Sequence, residues 1–112
     1  MKIFYGSSVG REDVSGDSPE EASLDTALAV FRGLDSRTGF IGIILDAQFT
    51  VQFAPQKQRG IRVELLDTSQ PAFDACLADA AFAESLIQAA AQGQDVFQIA
   101  RESIYQWEHT DL

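Results

Sequence analysis

The chain has 112 residues, of which 46% are hydrophobic and 10% aromatic, and this composition is typical of one globular domain rather than a disordered chain. Seventeen acidic residues oppose eight basic ones, and the resulting net charge of −9 argues against nucleic-acid or anionic-membrane binding as the main activity. No apolar run reaches the roughly 18 residues of a membrane helix, residues 1–10 lack the apolar core of a secretory signal, and the single Cys76 excludes an internal disulfide. We therefore expect a single cytoplasmic domain over residues 1–112.

The N-terminal third predicts a strand and then a helix. Residues 2–5 are predicted as a short strand, and residues 6–17 as a loop of Gly, Ser and charged residues. The SPEE sequence at residues 18–21, with Ser18 as N-cap and Glu21 three residues later, is a capping box that predicts a helix running to about Arg32. Its predicted core face, at helical spacing, consists of Leu24, Ala27, Leu28 and Phe31.

Three runs rich in Ile, Val and Phe follow: GFIGIIL at residues 39–45, QFTVQFA at 48–54 and IRVELLD at 61–67. They predict three consecutive strands of a meander. The middle run alternates apolar with polar residues, so one face is predicted to be buried and the other to meet water or a partner. The first run is apolar on both sides and is predicted to be central or covered on both faces. Gly42 within it marks either a kink or bulge or the close approach of another group, and we predict the kink.

The C-terminal half predicts further helices. Capping candidates at residues 67–69 and Pro71 in a first turn predict one helix with Phe73, Leu77 and Ala80 buried. Asp79 is predicted to cap another helix that stops at Gly93, although the two segments also fit one bent helix. Residues 95–107 fit either a helical face or two short strands, FQI and IYQW. The predicted fold is α+β, an antiparallel β-meander packed against two to three α-helices.

No catalytic, metal-binding or nucleotide-binding motif occurs in the sequence. His109 lies beside Glu108 and Asp111, and such a group can in principle hold a divalent metal, but so close to the end of the sequence we interpret it as a solvated terminus. Cys76 is predicted to be a small buried thiol within a helix rather than a nucleophile paired with His109. We expect no enzymatic activity, no metal and no cofactor.

Negative charge is concentrated towards the C-terminus. The net charge is −3 over residues 1–34, +2 over residues 35–62 and −8 over residues 63–112. A field of this kind speeds the encounter with a basic partner. The alternative is that the acids are solvated helix faces that keep the protein soluble.

The arrangement of the segments resembles a protein family. A capped helix precedes GFIGIILDAQFTVQF, which is followed by IRVELLD and by a helix ending in AAQGQDVF. Over residues 18–107 this layout resembles the immunity proteins of bacterial polymorphic toxin systems, including those paired with contact-dependent and type VI secretion effectors. The resemblance implies a cytoplasmic α+β protein that binds a cognate toxin and blocks its active site or an essential surface. It assigns no residues, since toxin-contacting positions vary within such families.

Charge suggests how such a protein would work, because toxins that attack nucleic acids or nucleotides need positive clefts that carboxylates can occupy. The predicted partner contacts are the acids Glu64, Asp67, Asp74, Asp79 and Glu84, with Tyr105 and Trp107 as aromatic anchors. For Trp107 the alternative is that it closes one end of the core. Two other functions stay open: an adaptor or chaperone that uses the acidic surface or a strand edge, and a small enzyme or ligand-binding domain with a pocket between sheet and helices.

Overall fold

The computed structural model describes residues 1–6, 13–35, 38–57 and 60–111, which form a seven-stranded antiparallel sheet and three helices. The strands are β1 (Lys2–Gly6), β2 (Glu20–Glu21), β3 (Phe40–Ile44), β4 (Phe49–Pro55), β5 (Ile61–Asp67), β6 (Ala72–Ala78) and β7 (Glu108–Asp111). The helices are α1 (Leu24–Arg32), α2 (Ala80–Ala91) and α3 (Val96–Arg101). The predicted α+β class, an antiparallel meander with helices, is confirmed.

The strand order in the sheet is β2, β1, β3, β4, β5, β6, β7. From β3 to β6 each strand pairs with the next one along the chain, as in a meander, and β7 adds to β6 after the two helices α2 and α3. β1 pairs with β3 and with the two-residue β2. Short strands, β2 and β7, therefore form the two edges of the sheet.

One face of the sheet packs against the helices and forms the core. Ile3, Ile43, Val51 and Leu65 lie opposite one another on four neighbouring strands, and each is at most 2% exposed. The buried helix side chains that pack on this inner face are Ala27, Leu28, Phe31, Ala83, Leu86, Ile87, Ala89, Val96, Phe97 and Ala100. The alternation predicted for the middle strand is confirmed, because Val51 and Phe53 point into this core.

The opposite face, which we call the outer face, carries the alternate residues of each strand. The ring of Phe4 lies directly on Gly42 of the neighbouring strand, so that a Cβ added at Gly42 would come 2.0 Å from Phe4 Cζ. β3 stays in register with both neighbours at this position, where Gly42 lies opposite Phe4 and Gln52. Gly42 therefore permits the close approach of an aromatic ring, and the predicted kink is wrong.

The predicted start of the first helix is also wrong. α1 begins at Leu24 with Ser23 as its N-cap, and Ser23 Oγ accepts a hydrogen bond from the Thr26 backbone N–H at 3.2 Å. Glu21 instead pairs with β1 as part of β2, and its Oε2 lies 3.1 Å from the Met1 amine. Cross-strand pairing and this ion pair thus replace the capping box predicted over residues 18–21. The predicted end at about Arg32 is confirmed.

The helix predicted after the third central strand is replaced by strand β6. Asp67 Oδ1 accepts hydrogen bonds from the Ser69 backbone N–H and hydroxyl, so this carboxylate closes a turn rather than capping a helix. β6 then pairs with β5 over seven positions, from Ile61 opposite Ala78 to Asp67 opposite Ala72. Cys76 is buried as predicted, although it lies in a strand. Seven paired residues outweigh the low strand propensity of this Ala-rich segment.

The last third of the chain forms the two helices α2 and α3 and then strand β7. Asp79 caps α2 as predicted, with Oδ1 accepting from the Phe82 backbone N–H at 2.8 Å, and Gly93 follows with a φ of +71°. α3 occupies the first part of residues 95–107, so the strands FQI and IYQW are wrong. His109 lies within β7, opposite Asp74, rather than in a solvated terminus.

Within the described ranges, none of the helices has the length and apolar character needed to cross a bilayer. The predicted loop over residues 6–17 lies partly outside the described residues, which omit 7–12. Its described part includes Val14, which forms an isolated bridge with Tyr5 on the same edge of β1 that β2 uses.

Candidate functional site

Two hairpin turns and the last residue of β7 meet at one end of the sheet. Gln48, in the turn between β3 and β4, donates through Nε2 to Asp67 Oδ1 and to Ser69 Oγ, both at 3.0 Å. The Thr68 backbone N–H donates to the Gln48 carbonyl at 2.8 Å. The pairing of Ala72 with the last residue of β7 brings that strand's end to the same place. These hydrogen bonds hold the two turns together as one surface.

A cleft of about 890 Å³ opens beside these turns, between the end of β3 and the segment that joins α2 to α3. The rings of Phe49 and Phe97 meet in its lining with their centroids 4.8 Å apart, and Val96 contributes further apolar surface. The polar and charged residues of the lining include Asp46, Gln94, Asp95, Gln98, Arg101 and Glu102. The cleft therefore has an apolar floor and a charged rim.

Six carboxylates lie at this end of the molecule, and we call the surface that they form the acidic end. Asp46, Asp95 and Glu102 line the cleft, Asp67 accepts from Gln48 in the first of the two turns, and Asp74 and Asp111 flank His109. The turns and the helix start hold three of them through backbone donors: Asp46 Oδ1 accepts from two N–H groups at 2.8 Å, Asp67 Oδ1 from Ser69 at 2.9 Å and Asp95 Oδ1 from Gln98 at 3.1 Å. Each of these carboxylates can accept further hydrogen bonds, so it can still bind a cation of a partner.

Arg101 and His109 are the basic side chains within this group. Asp74 Oδ2 lies 3.6 Å from an Arg101 guanidinium nitrogen, and Asp74 Oδ1 lies 2.6 Å from His109 Nδ1. The other ring nitrogen, His109 Nε2, lies 2.9 Å from Asp111 Oδ1. Hydrogen bonds to Asp74 and then to Asp111 raise the pKa of His109 above its ordinary value of 6.5. The hydrogen bond from the Ser69 hydroxyl is the main reason why the pKa of Asp67 is lowered.

The structure brings two of the five predicted acids together. Asp67 and Asp74 lie on the inner face at the acidic end, on neighbouring strands. Glu64 points to the outer face, Asp79 caps α2 at the opposite end of β6, and Glu84 lies on α2 in the helical layer.

Two of these separated acids have cationic partners of their own. Glu84 forms a two-point contact with Arg32 of α1, at 2.6 Å and 3.2 Å, and this contact lowers the pKa of Glu84. Glu64 Oε1 lies 3.4 Å from Arg62 Nε on the same strand. Neither pair belongs to the acidic end, since Glu84 and Arg32 join two helices and Glu64 and Arg62 lie on the outer face of β5.

The predicted aromatic anchors are both half-buried against the core. The Tyr105 hydroxyl accepts a hydrogen bond from the Asp79 backbone N–H at 3.3 Å, and its ring packs on Phe82 with centroids 4.7 Å apart. Trp107 Nε1 donates to the Ala100 carbonyl at 3.0 Å. Trp107 thus packs on the end of α3 and closes the core there, which was the alternative to a partner anchor.

Four acids of this surface were missed by the sequence analysis: Asp46, Asp95, Glu102 and Asp111. The available signal was the antiparallel order of the strands, since alternate connections of a meander lie at the same end of the sheet. The three predicted strands already bring Asp46 and Asp67 to one end of the sheet, and recognising residues 72–78 as a strand would have added Asp74.

Within residues 1–6, 13–35, 38–57 and 60–111, no group of three or more His, Cys, Asp or Glu side chains is arranged to hold a metal ion. Comparisons with protein-family models, curated proteins and solved structures found no match. Function is therefore inferred from the residues of this chain.

Proposed function

We propose that this protein binds and neutralises a cognate toxin, as an immunity protein does, and that the acidic end is its binding surface. The observation that supports the proposal is the grouping of six carboxylates at one end of the sheet, where three of them line a cleft with an apolar floor. The sequence from residue 63 onwards carries a net charge of −8, and five of these six carboxylates come from it. The resemblance to immunity proteins in segment layout is consistent with this role.

Charge defines the kind of partner that fits. A toxin that acts on nucleic acids or nucleotides carries Lys and Arg side chains where phosphates bind, and carboxylates can take the place of those phosphates. Close charge pairs at protein interfaces contribute on the order of 1.5 kcal/mol or more each when they are desolvated. A few such pairs from Asp46, Asp67 and Asp95 are sufficient to make binding specific for a basic cleft.

Rigidity favours binding by the same three carboxylates. Backbone N–H groups hold the carboxylates of Asp46, Asp67 and Asp95 in fixed positions. A side chain that is already ordered loses little conformational entropy when a partner binds to it. The acidic end is thus preorganised, which distinguishes it from flexible acids on a helix surface.

The cleft also supports a second candidate function, binding of a small ligand between sheet and helices. Its volume of about 890 Å³ lies within the roughly 300–1,000 Å³ range of ligand sites, and Phe49 and Phe97 provide the apolar contact that such sites use. Binding of a small molecule that is lost on Phe97→Ala and retained when acids are neutralised would support this second function.

The first experiment is affinity capture of the tagged protein from its source cells, followed by growth assays in which the captured partner is expressed with and without this protein. The test variant is Asp46→Asn, Asp67→Asn and Asp95→Asn, because Asn keeps turn and cap hydrogen bonds while removing three charges. The control, Asp17→Asn, Glu20→Gln and Asp25→Asn, removes three exposed acids elsewhere.

We expect the test variant to lose growth rescue and at least about tenfold in affinity, which corresponds to about 1.4 kcal/mol, while the control behaves as wild type. An unchanged affinity of the test variant would exclude the acidic end as the binding surface. A tight partner that is not toxic, or whose toxicity this protein leaves intact, would instead favour the adaptor or chaperone function.

A further inference from the structure

The outer face of the sheet carries a layer of apolar side chains. They belong to Phe4, Phe40, Ile44, Leu66, Phe73 and Leu77 on four of the seven strands. The buried faces of all three helices join the core on the inner side, so within the described ranges no helix lies on the outer face. Leu77 is 58% exposed and the others are half-buried.

The outer face differs in charge from the rest of the molecule. Its paired positions carry the cations Lys2 and Arg62 and the anions Glu21, Glu64 and Glu108, and the Met1 amine, 3.1 Å from Glu21 Oε2, balances the third anion. Arg62 is close to Glu64, and its guanidinium lies 5.9 Å from the centroid of the Phe73 ring. A molecule with a net charge of −9 thus presents one electrically balanced face. A basic partner is drawn to the acidic end, whereas an equally acidic second copy meets least repulsion at the outer face.

We propose that the outer face binds a second copy of this chain, forming a homodimer of two sheets packed face to face. β4 is the fourth of the seven strands, and the two-fold axis of the dimer lies along it. This axis places β3 of one copy over β5 of the other, and β1 over β6. Two sheets packed in this way have their strands nearly aligned and lie about 10 Å apart.

The register of the strands makes the outer face self-complementary about that axis. In one row of paired residues Ile44 lies two strands from Leu66, with Thr50 between them, so the axis brings Ile44 of one copy over Leu66 of the other. In the next row it brings the ring of Phe4 over the small Ala75.

The axis itself passes over neutral side chains. The β4 residues that point to the outer face are Thr50, Gln52 and Ala54. In the dimer each of these three residues faces the same residue of the other copy. Because all three are uncharged, there is no like-charge repulsion on the axis. The amides of two Gln52 side chains can donate to each other.

The area of the outer face fits a reversible dimer. Five strands of five to seven residues and the shorter edge strands β2 and β7, about 4.8 Å apart, together cover roughly 500–650 Å², compared with about 800 Å² per partner in a standard interface. We therefore expect association that depends on concentration rather than an obligate dimer.

Sedimentation velocity of the full chain from about 1 to about 100 µM tests the proposal, with an expected rise in mass from 12.2 kDa to about twice that value. Thr50→Arg places two cations face to face on the axis and is expected to leave a monomer throughout this range. Gln88→Arg makes the same charge change on the exposed surface of α2 and is expected to dimerise as wild type does. Far-UV circular dichroism establishes that each variant is folded.

A second pair of variants and a measurement on the wild type cover the case in which Thr50→Arg does not fold. Leu77→Glu is expected to weaken association at least about tenfold, whereas Ile104→Glu, at a residue 94% exposed after α3, is not. In NMR spectra of the wild-type protein, dilution is expected to shift the methyl signals of Ile44 and Leu66 but not those of Ile104. A wild-type monomer at every concentration overturns the proposal, as does a dimer that both outer-face substitutions leave intact.

Discussion

Asp74 and His109 face each other across the last two strands of the sheet, with Asp74 Oδ1 2.6 Å from His109 Nδ1. The second ring nitrogen is equally engaged, because Asp111 Oδ1 lies 2.9 Å from Nε2. A neutral imidazole has one N–H and donates to one of these carboxylates, while the imidazolium donates to both. Asp111 lies on β7 itself, so it is the contact of the His109 cation with Asp74 that attaches the edge strand β7 to β6.

This arrangement predicts that the attachment of β7 depends on pH. The pKa of His109 is raised above 6.5, mainly by its hydrogen bond to Asp74 and then by that to Asp111, while desolvation acts in the opposite direction. Since the folded-state pKa exceeds the unfolded one, the stabilisation is fully present below about pH 6.5 and is lost as the pH rises through the folded-state pKa. Hydrogen exchange of the β7 amides should accelerate over that interval beyond its ordinary pH dependence.

A proton NMR titration measures this directly, since the chain has one histidine. Asp74→Asn should move the pKa of His109 down towards 6.5, and Asp17→Asn should leave it unchanged. A wild-type pKa at or below 6.5 would contradict the assignment of His109 as a cation in β7.

Gly42 should tolerate no side chain while Phe4 is present. A Cβ at Gly42 would overlap the Phe4 ring at 2.0 Å, so Gly42→Ala is expected to displace the ring and to cost about 1–3 kcal/mol of stability. Urea unfolding of a double-mutant cycle with Phe4→Leu isolates this contact. The two substitutions together should cost less than their sum, and simple additivity would show that Gly42 is needed for another reason.

Two substitutions at Asp79 distinguish its role as the cap of α2 from the effect of its negative charge. Its carboxylate accepts from the Phe82 backbone N–H at 2.8 Å, so Asp79→Ala is expected to destabilise the protein by about 1 kcal/mol through loss of the cap. Asp79→Asn retains a capping oxygen and should cost much less, as measured by thermal unfolding. Equal losses for both variants would mean that the negative charge matters more than the cap.

Cys76 should react slowly with thiol reagents. Burial raises the pKa of its thiol to about 11, so at pH 8 the thiolate fraction is roughly 10²-fold smaller than in the unfolded chain. Alkylation by iodoacetamide should therefore be at least that much slower in native protein than in urea. Similar rates in both conditions would indicate that β6 opens freely.

Where local sequence pattern and tertiary pairing agree, the fold was predictable. The alternation of Phe49, Val51 and Phe53 gave the correct inner face because every second residue of a half-buried strand is apolar. Asp79 was recognised as a cap because capping depends on adjacent residues alone.

Where distant residues compete with local signals, prediction failed. The capping box at residues 18–21 is a genuine local pattern, but β1 and the Met1 amine bind Glu20 and Glu21 in another conformation. Residues 72–78 contain three alanines, and only pairing with β5 makes them a strand. The acidic end was missed in part for the same reason, since Asp74 and Asp111 join Asp46 and Asp67 only when β6 and β7 are strands.

The two edges of the sheet have a consequence for how the protein behaves at high concentration. β2 consists of Glu20 and Glu21, and β7 includes Glu108 and Asp111. An edge that docks on the same or the opposite edge of another molecule would set carboxylates against carboxylates, without an apolar row to offset their repulsion. Growth of the sheet from molecule to molecule, the first step towards a fibril, is therefore resisted at both sides, and refolding from concentrated denaturant should give little precipitate.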